Sequence, residues 1–83
     1  MSDVTVRFFA AAEEAAGEAE TTLPIAEGET LGGLLDGLVR AKPSLAGVLP
    51  TCSYLYNGVA ARGLSLRLSP GGVVDVLPPF SGG

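Results

Sequence analysis

The sequence predicts an α+β fold in which one main helix covers one face of a mixed sheet of four to five strands. Three observations support this prediction: period-two alternation near the start, leucines at helical spacing in the middle, and a valine-rich run near the end. The elements are expected in the order strand, strand, helix, strand, short strand, strand. A chain of 83 residues has room for one such domain, here residues 1–77, followed by a tail over residues 78–83.

The first two strands are predicted from alternation and composition. Val4, Val6 and Phe8 alternate with other residues over about residues 3–10, which is typical of a half-buried strand. Residues 10–17 predict a short helical turn or a loop. Residues 20–25 regain strand character, so the two strands should form a hairpin.

The main helix is predicted to start at Thr30, a favourable N-cap residue. The apolar positions that follow recur at i, i+3, i+4 and i+7, and they are Leu31, Leu34, Leu35 and Leu38. The helix should end before Pro43. Its three internal glycines each cost about 1 kcal/mol relative to alanine, so packing on the sheet must hold it.

The second half should supply the remaining strands. Residues 52–56 predict a third strand, and Asn57-Gly58 is a strong turn signal because both residues accept positive φ. The alternating Leu64, Leu66 and Leu68 predict a short strand. A turn at residues 70–72 should then lead into the last strand, residues 73–77, which feeds the tail directly.

Charge and hydropathy limit the function classes. The net charge is −4, with nine acids and five bases, which argues against a nucleic-acid surface and favours a partner with basic pockets. No apolar stretch approaches the length of a membrane span. The start of the chain lacks a basic region before an apolar run, so no signal peptide is predicted and the cytoplasm is the expected location.

The chain offers no catalytic machinery of its own. It contains no histidine, no P-loop and a single cysteine, Cys52, so neither a metal cluster, a bound cofactor nor an internal disulfide is expected. Cys52 is interpreted as a core residue. The alternative, a sulfur relay, lacks a histidine that would lower the pKa of the thiol.

The tail carries the predicted chemistry. Gly82-Gly83 has no side chains and can pass through a narrow channel, while Pro78 and Pro79 stop the sheet and stiffen the segment before Phe80-Ser81. From Leu77 the tail could reach about 20 Å. An α-carboxyl at Gly83 is ionised at neutral pH and suits attack on the α-phosphate of ATP, held by a partner enzyme.

Two aromatic residues are candidate partner contacts. If Val4, Val6 and Phe8 face the helix, Phe9 lies on the other face of the sheet. An exposed Phe9 and the tail residue Phe80 would suit an interface, because aromatic residues are enriched at interface cores. In the alternative arrangement, Phe9 packs beneath residues 10–17.

Taken together, these residues resemble the ubiquitin-like β-grasp sulfur carriers, and within them the small subunit of molybdopterin synthase. The resemblance spans nearly the whole chain. It is carried by Val6-Arg7-Phe8-Phe9-Ala10, the acidic stretch ending at Gly17, the helix from Thr30 to Leu38, Tyr56-Asn57-Gly58, and above all Pro78-Pro79-Phe80-Ser81-Gly82-Gly83.

This resemblance implies a β-grasp roll and a function. An E1-like adenylating enzyme would activate Gly83 with ATP, and sulfur transfer would then give a thiocarboxylate. In molybdopterin synthase the tail enters the large subunit of a heterotetramer, which holds the catalytic residues, and two thiocarboxylates convert precursor Z to the dithiolene of molybdopterin. Alternatives are a carrier for thiamine thiazole, cysteine or secondary-metabolite synthesis, a non-catalytic binding module, and a protein modifier attached to lysine.

Overall fold

The computed structural model describes residues 2–79 and shows a mixed sheet with one long helix on one face. The elements are β1 (Asp3–Phe8), α1 (Ala11–Ala16), β2 (Glu20–Pro24), α2 (Leu31–Ala41), short 3₁₀ helices over Pro43–Gly47 and Leu49–Thr51, β3 (Ser53–Tyr56), β4 (Val59–Ala60) and β5 (Val73–Leu77). The strand order is β2-β1-β5-β3-β4, with β1 parallel to β5 and all other pairs antiparallel. The predicted α+β class and mixed sheet are therefore confirmed.

The predicted hairpin of β1 and β2 is present, with Val4 opposite Leu23. Strand β1 ends at Phe8, two residues before the predicted end, because Ala10 adopts φ 50° and ψ −125° and turns the chain. The segment after it is a true helix, α1. Gly17 closes α1 with φ 78°, and its amide donates to the carbonyl of Glu13 at 2.9 Å.

Helix α2 begins as the leucine spacing predicts and ends before Pro43. The Oγ1 of Thr30 accepts a hydrogen bond from the amide of Gly33 at 3.1 Å, as an N-cap residue should. All the predicted inward leucines of α2 are buried, and they are Leu31, Leu34, Leu35 and Leu38. They pack on the inward face of the sheet, where Val6, Val74 and Val76 are 0% exposed.

The prediction of a strand at Leu64, Leu66 and Leu68 is wrong, because that segment caps the N-terminus of α2 instead of joining the sheet. The carbonyls of Leu66 and Leu64 accept hydrogen bonds from the amides of Leu31 and Gly32, both at 2.8 Å. The ladder-type pairing of the segment is limited, in the described part of the chain, to one isolated bridge between Thr30 and Arg67. The short strand of the sheet is β4, which lies earlier in the sequence.

Strand β4 follows the turn that Asn57-Gly58 predicts. These residues adopt φ 51° and 82°, as a tight two-residue hairpin turn requires. Asn57 also ties this turn to the start of β5, because its Oδ1 accepts a hydrogen bond from the amide of Val73 at 2.9 Å. The strand order places β5 in the centre of the sheet.

No helix within residues 2–79 is long and apolar enough to span a bilayer.

Candidate functional site

Strand topology brings several chain segments to the end of the sheet from which the tail departs. Because β1 and β5 are parallel, their carboxyl ends lie at the same end of the sheet, where the antiparallel strands β2 and β3 begin. Ser53 is registered opposite Leu77, and Glu20 is registered opposite Arg7. We call this end the tail end of the sheet.

The structure describes only the first part of the predicted tail. Strand β5 ends at Leu77, Pro78 is buried and Pro79 is exposed. Pro78 is therefore packed on the domain, and the chain is free of the body no earlier than Pro79. The remaining predicted tail residues, Phe80, Ser81, Gly82 and Gly83, lie outside the described residues.

Phe9 is partly accessible at the tail end, which favours the exposed arrangement of the two that the sequence left open. Its residue exposure is 37%, so the residue is only partly covered and is not packed in the core. Its amide donates to the carbonyl of Val76 at 3.2 Å and holds the residue beside β5. The Cζ atom of Arg7 lies 5.9 Å from the centroid of the ring, within range of a cation–π contact. Contact between Phe9 and a partner stays a prediction, as does any contact through Phe80.

The face of the sheet turned away from α2, which we call the outward face, carries a central ion pair. Its residues by register are Asp3, Thr5 and Arg7 on β1, Glu20, Thr22 and Pro24 on β2, Val73, Asp75 and Leu77 on β5, Ser53 and Leu55 on β3, and Ala60 on β4. Nε of Arg7 donates to Oδ1 of Asp75 at 2.5 Å, and Nη2 donates to Oδ2 at 2.8 Å. Asp75 is only 5% exposed.

Sequence reasoning missed this pair, although a signal exists. Asp75 interrupts the apolar run of β5, and an acid in a central strand needs a compensating partner. The partner is 68 residues away, so only the parallel pairing of β1 with β5 identifies it. Hydrogen bonding to Asp75, then the charge of Asp75, with a smaller contribution from the charge of Glu20, raises the pKa of Arg7.

Cys52 precedes β3 at the tail end, in a setting that favours the thiol over the thiolate. It is half-buried, and its Sγ donates a hydrogen bond to the carbonyl of Val48 at 3.3 Å. Burial raises the pKa of Cys52, partly offset by a hydrogen bond involving Thr51. A thiol with a raised pKa is a poor nucleophile at neutral pH. This setting agrees with a packing role better than with a sulfur relay.

Charge is segregated across the tail end. The α1 side is acidic, with Glu13 and Glu14 exposed on the helix and Glu20 at the start of β2. No Asp or Glu occurs from residue 37 to residue 74, and Arg62 follows β4 on the opposite side. A partner that docks here meets opposite charges on the two flanks, which favours one orientation.

Within residues 2–79 no cluster of His, Cys, Asp and Glu side chains forms a metal site.

Comparisons with known proteins agree with this architecture. The profile of the ThiS family matches residues 6–83. The molybdopterin synthase sulfur carrier subunit of Chlamydomonas reinhardtii is 33% identical over 81 residues, covering 96% of this chain and 98% of that protein.

Solved structures give the same picture. SAMP1 from Haloferax volcanii superposes with a TM-score of 0.87 at 30% identity, covering 98% of this chain and 99% of that one. The complex of subunits 1 and 2 of the molybdopterin-converting factor from Helicobacter pylori contains a chain with a TM-score of 0.72 and 27% identity, covering 98% of this chain and 99% of that one. With its β-grasp fold and its nearly full-length match, the chain belongs to the ThiS family and is a ubiquitin-like sulfur carrier.

Proposed function

We propose that this chain carries sulfur as a thiocarboxylate on Gly83 and donates it to precursor Z as the small subunit of a molybdopterin synthase. A carboxylate oxygen of Gly83 attacks the α-phosphorus of ATP on an E1-like enzyme, which releases pyrophosphate and forms an acyl-adenylate. A sulfide-level nucleophile then attacks the carbonyl carbon, and AMP leaves with the C–O electron pair. The product is a thiocarboxylate.

The observation that carries the proposal is the nearly end-to-end relation to a molybdopterin synthase sulfur carrier subunit. A second relative was solved as a complex with subunit 2 of its converting factor, which supports a large-subunit partner for this chain. The family profile extends through Gly83, the residue assigned to the chemistry.

The geometry of the tail end suits delivery of a terminal group. Strand β5 is held on both sides by β1 and β3, so the exit point after Pro78 is fixed relative to the sheet. Phe9 lies at the same end and is accessible. A partner that holds Phe9 and the outward face can therefore receive the tail in a defined position, while its own residues perform the catalysis.

Intact-mass spectrometry tests the loading step. The full chain is incubated with ATP, sulfide and the adenylating enzyme encoded in the same genome. We expect the mass gain of one oxygen replaced by sulfur, located at Gly83 by fragmentation. A variant that lacks Gly83 is the control and should gain nothing. An unchanged mass of the native chain, with an enzyme that loads another carrier, contradicts the proposal.

The acceptor is tested separately. The loaded chain is mixed with the large subunit and precursor Z, and we expect dithiolene formation together with regeneration of the carboxylate. The relation to SAMP1, a small archaeal modifier protein, favours a second candidate in which the activated carbonyl is taken by a lysine amine. Isopeptide-linked adducts in cell extract, without sulfur transfer to precursor Z, would support that function instead.

A further inference from the structure

The Arg7–Asp75 pair on the outward face has a feature that charge neutralisation alone does not require. Asp75 lies between Arg7 on β1 and Leu55 on β3 in the strand register, and both of its oxygens accept hydrogen bonds from Arg7. The Asp75 side chain is 7% exposed, whereas the Arg7 side chain is 48% exposed. In this pair the carboxylate of Asp75 is buried, whereas the side chain of Arg7 remains accessible to solvent.

Arg7 is held in place from two directions. Asp75 binds the Nε edge of the guanidinium, and the ring of Phe9 lies 5.9 Å from Cζ. A guanidinium has five N–H donors, and within residues 2–79 Nη1 makes no hydrogen bond. Arg7 thus offers a second donor edge that is already oriented. Little side-chain entropy remains to be lost when that edge binds an acceptor.

Neighbouring charges decide which acceptor fits. The charge of Arg7 is balanced by Asp75, and Glu20 lies directly across the β1–β2 ladder. An additional carboxylate brought to the donor edge would be attracted by Arg7 but repelled by both acids, so little net attraction would remain to offset the cost of removing its charge from water. A neutral oxygen meets no such repulsion. A backbone carbonyl in an apolar surface is the acceptor that satisfies Nη1 and also covers the ring of Phe9.

We propose that Arg7 is a specificity-determining residue of the outward face, donating through Nη1 to a backbone carbonyl of the partner that also seats Phe9. This inference rests on the proposed function, since it takes the partner to be the large subunit of the synthase. A partner with a carboxylate at that position would be repelled by Asp75 and Glu20, and a partner with no acceptor there would leave the Nη1 donor buried and unpaired. Both kinds of partner should therefore bind more weakly.

The test compares the native chain with the double variant Arg7→Met/Asp75→Leu. The double replacement removes the buried carboxylate together with its half-exposed partner, so no buried charge is left unpaired and this variant should stay folded. Calorimetry with the purified large subunit from the same genome gives the dissociation constant. We expect the double variant to bind about 10- to 100-fold more weakly. Affinity equal to that of the native chain would overturn the inference.

Two single variants sharpen the result. Arg7→Lys keeps the charge and can pair with Asp75, but its ammonium lacks the planar fork that holds Nη1 in place, so its remaining donors are not oriented toward the partner and we expect similar weakening. Native affinity would show that charge alone suffices and would overturn the inference. Arg40→Met, an exposed change in the last turn of α2, is the matched control and should bind normally.

Salt dependence identifies the acceptor. For a neutral carbonyl, the ratio of the native and double-variant dissociation constants should change less than about twofold between low and high salt. A ratio that collapses with salt would indicate a carboxylate and overturn the assignment. If the native chain binds no large subunit at all, the proposed function fails together with this inference. Normal native binding with an unaffected double variant removes the inference alone.

Discussion

The carbonyl of Leu64 accepts a hydrogen bond from the amide of Gly32 at 2.8 Å, and this contact attaches the segment after β4 to the start of α2. A Cβ on Gly32 would lie 3.2 Å from both the Cβ and the carbonyl oxygen of Leu64. Gly37, five residues later in the same helix, has nothing within 4 Å of its hypothetical Cβ. The two helix glycines therefore differ in what they permit.

Substitution of these glycines by alanine should have opposite effects. Gly37→Ala should stabilise the protein by about 0.5–1 kcal/mol, because alanine favours the helix and meets no obstacle. Gly32→Ala should destabilise it by about 1 kcal/mol or more, because the backbone at Leu64 must move and weaken its hydrogen bond. Urea unfolding of both variants measures the difference. Equal stabilisation by both changes would show that the close approach to Leu64 is unimportant.

The same contact explains why one element could not be predicted from the sequence. Alternation in residues 64–68 is compatible with a strand, but the carbonyls of Leu64 and Leu66 are bound to the N-terminus of α2. An alternating pattern states which side chains are buried, not which partners the backbone finds. The leucines of α2 were predictable because a single periodicity requires a single buried face.

The candidate site residues divide in the same way. The glycine tail and Phe9 could be proposed from local sequence, since their chemistry is a property of the residues themselves, and their roles stay predictions. The Arg7–Asp75 pair was not, because the residues are 68 positions apart and meet only through the parallel β1–β5 register. Residue type indicates that Asp75 needs a partner, whereas topology determines which one.

Tyr54 should make stability fall at alkaline pH. Burial raises the pKa of Tyr54 from 10.0 to about 12, with a smaller contribution from the charge of Cys52. The hydroxyl also donates to the carbonyl of Leu49 at 2.8 Å. Between pH 10 and about 12 the unfolded state releases the tyrosine proton before the folded state does, so stability decreases across that interval. Below pH 10 this contribution is fully retained.

Urea unfolding at several pH values measures this effect, with Tyr54→Phe as the comparison. The variant loses the hydrogen bond to Leu49 but has no hydroxyl to ionise, so its stability should fall less steeply above pH 10. Parallel pH profiles for the two proteins would mean that other groups cause the alkaline loss.

Cys52→Ser should leave sulfur loading of the tail intact. The thiol of Cys52 is half-buried, its pKa is raised by burial, and a serine hydroxyl can make the same kind of hydrogen bond to the carbonyl of Val48. We expect an unchanged rate of thiocarboxylate formation by intact-mass spectrometry. In the native chain, alkylation by iodoacetamide at neutral pH should be slower than for free cysteine. Abolished loading in the serine variant would restore the sulfur-relay hypothesis.

Pro78 and Pro79 should differ when each is replaced by glycine, because only Pro78 is buried. Pro78→Gly removes packing as well as stiffness and should lower the free energy of unfolding by about 1–2 kcal/mol.

Pro79→Gly should leave the free energy of unfolding nearly unchanged and should act on the entropy of the tail, which the partner must order on binding. The expected cost is about 0.4–1 kcal/mol, or about a two- to fivefold weaker dissociation constant for the large subunit. Calorimetry measures that constant, and Pro70→Gly, at an exposed position in the turn before β5, provides a proline control at the opposite end of the sheet. If Pro79→Gly binds as tightly as the native chain, the second proline does not preorganise the tail, and the stiffness that aids delivery comes from the anchoring of Pro78 alone.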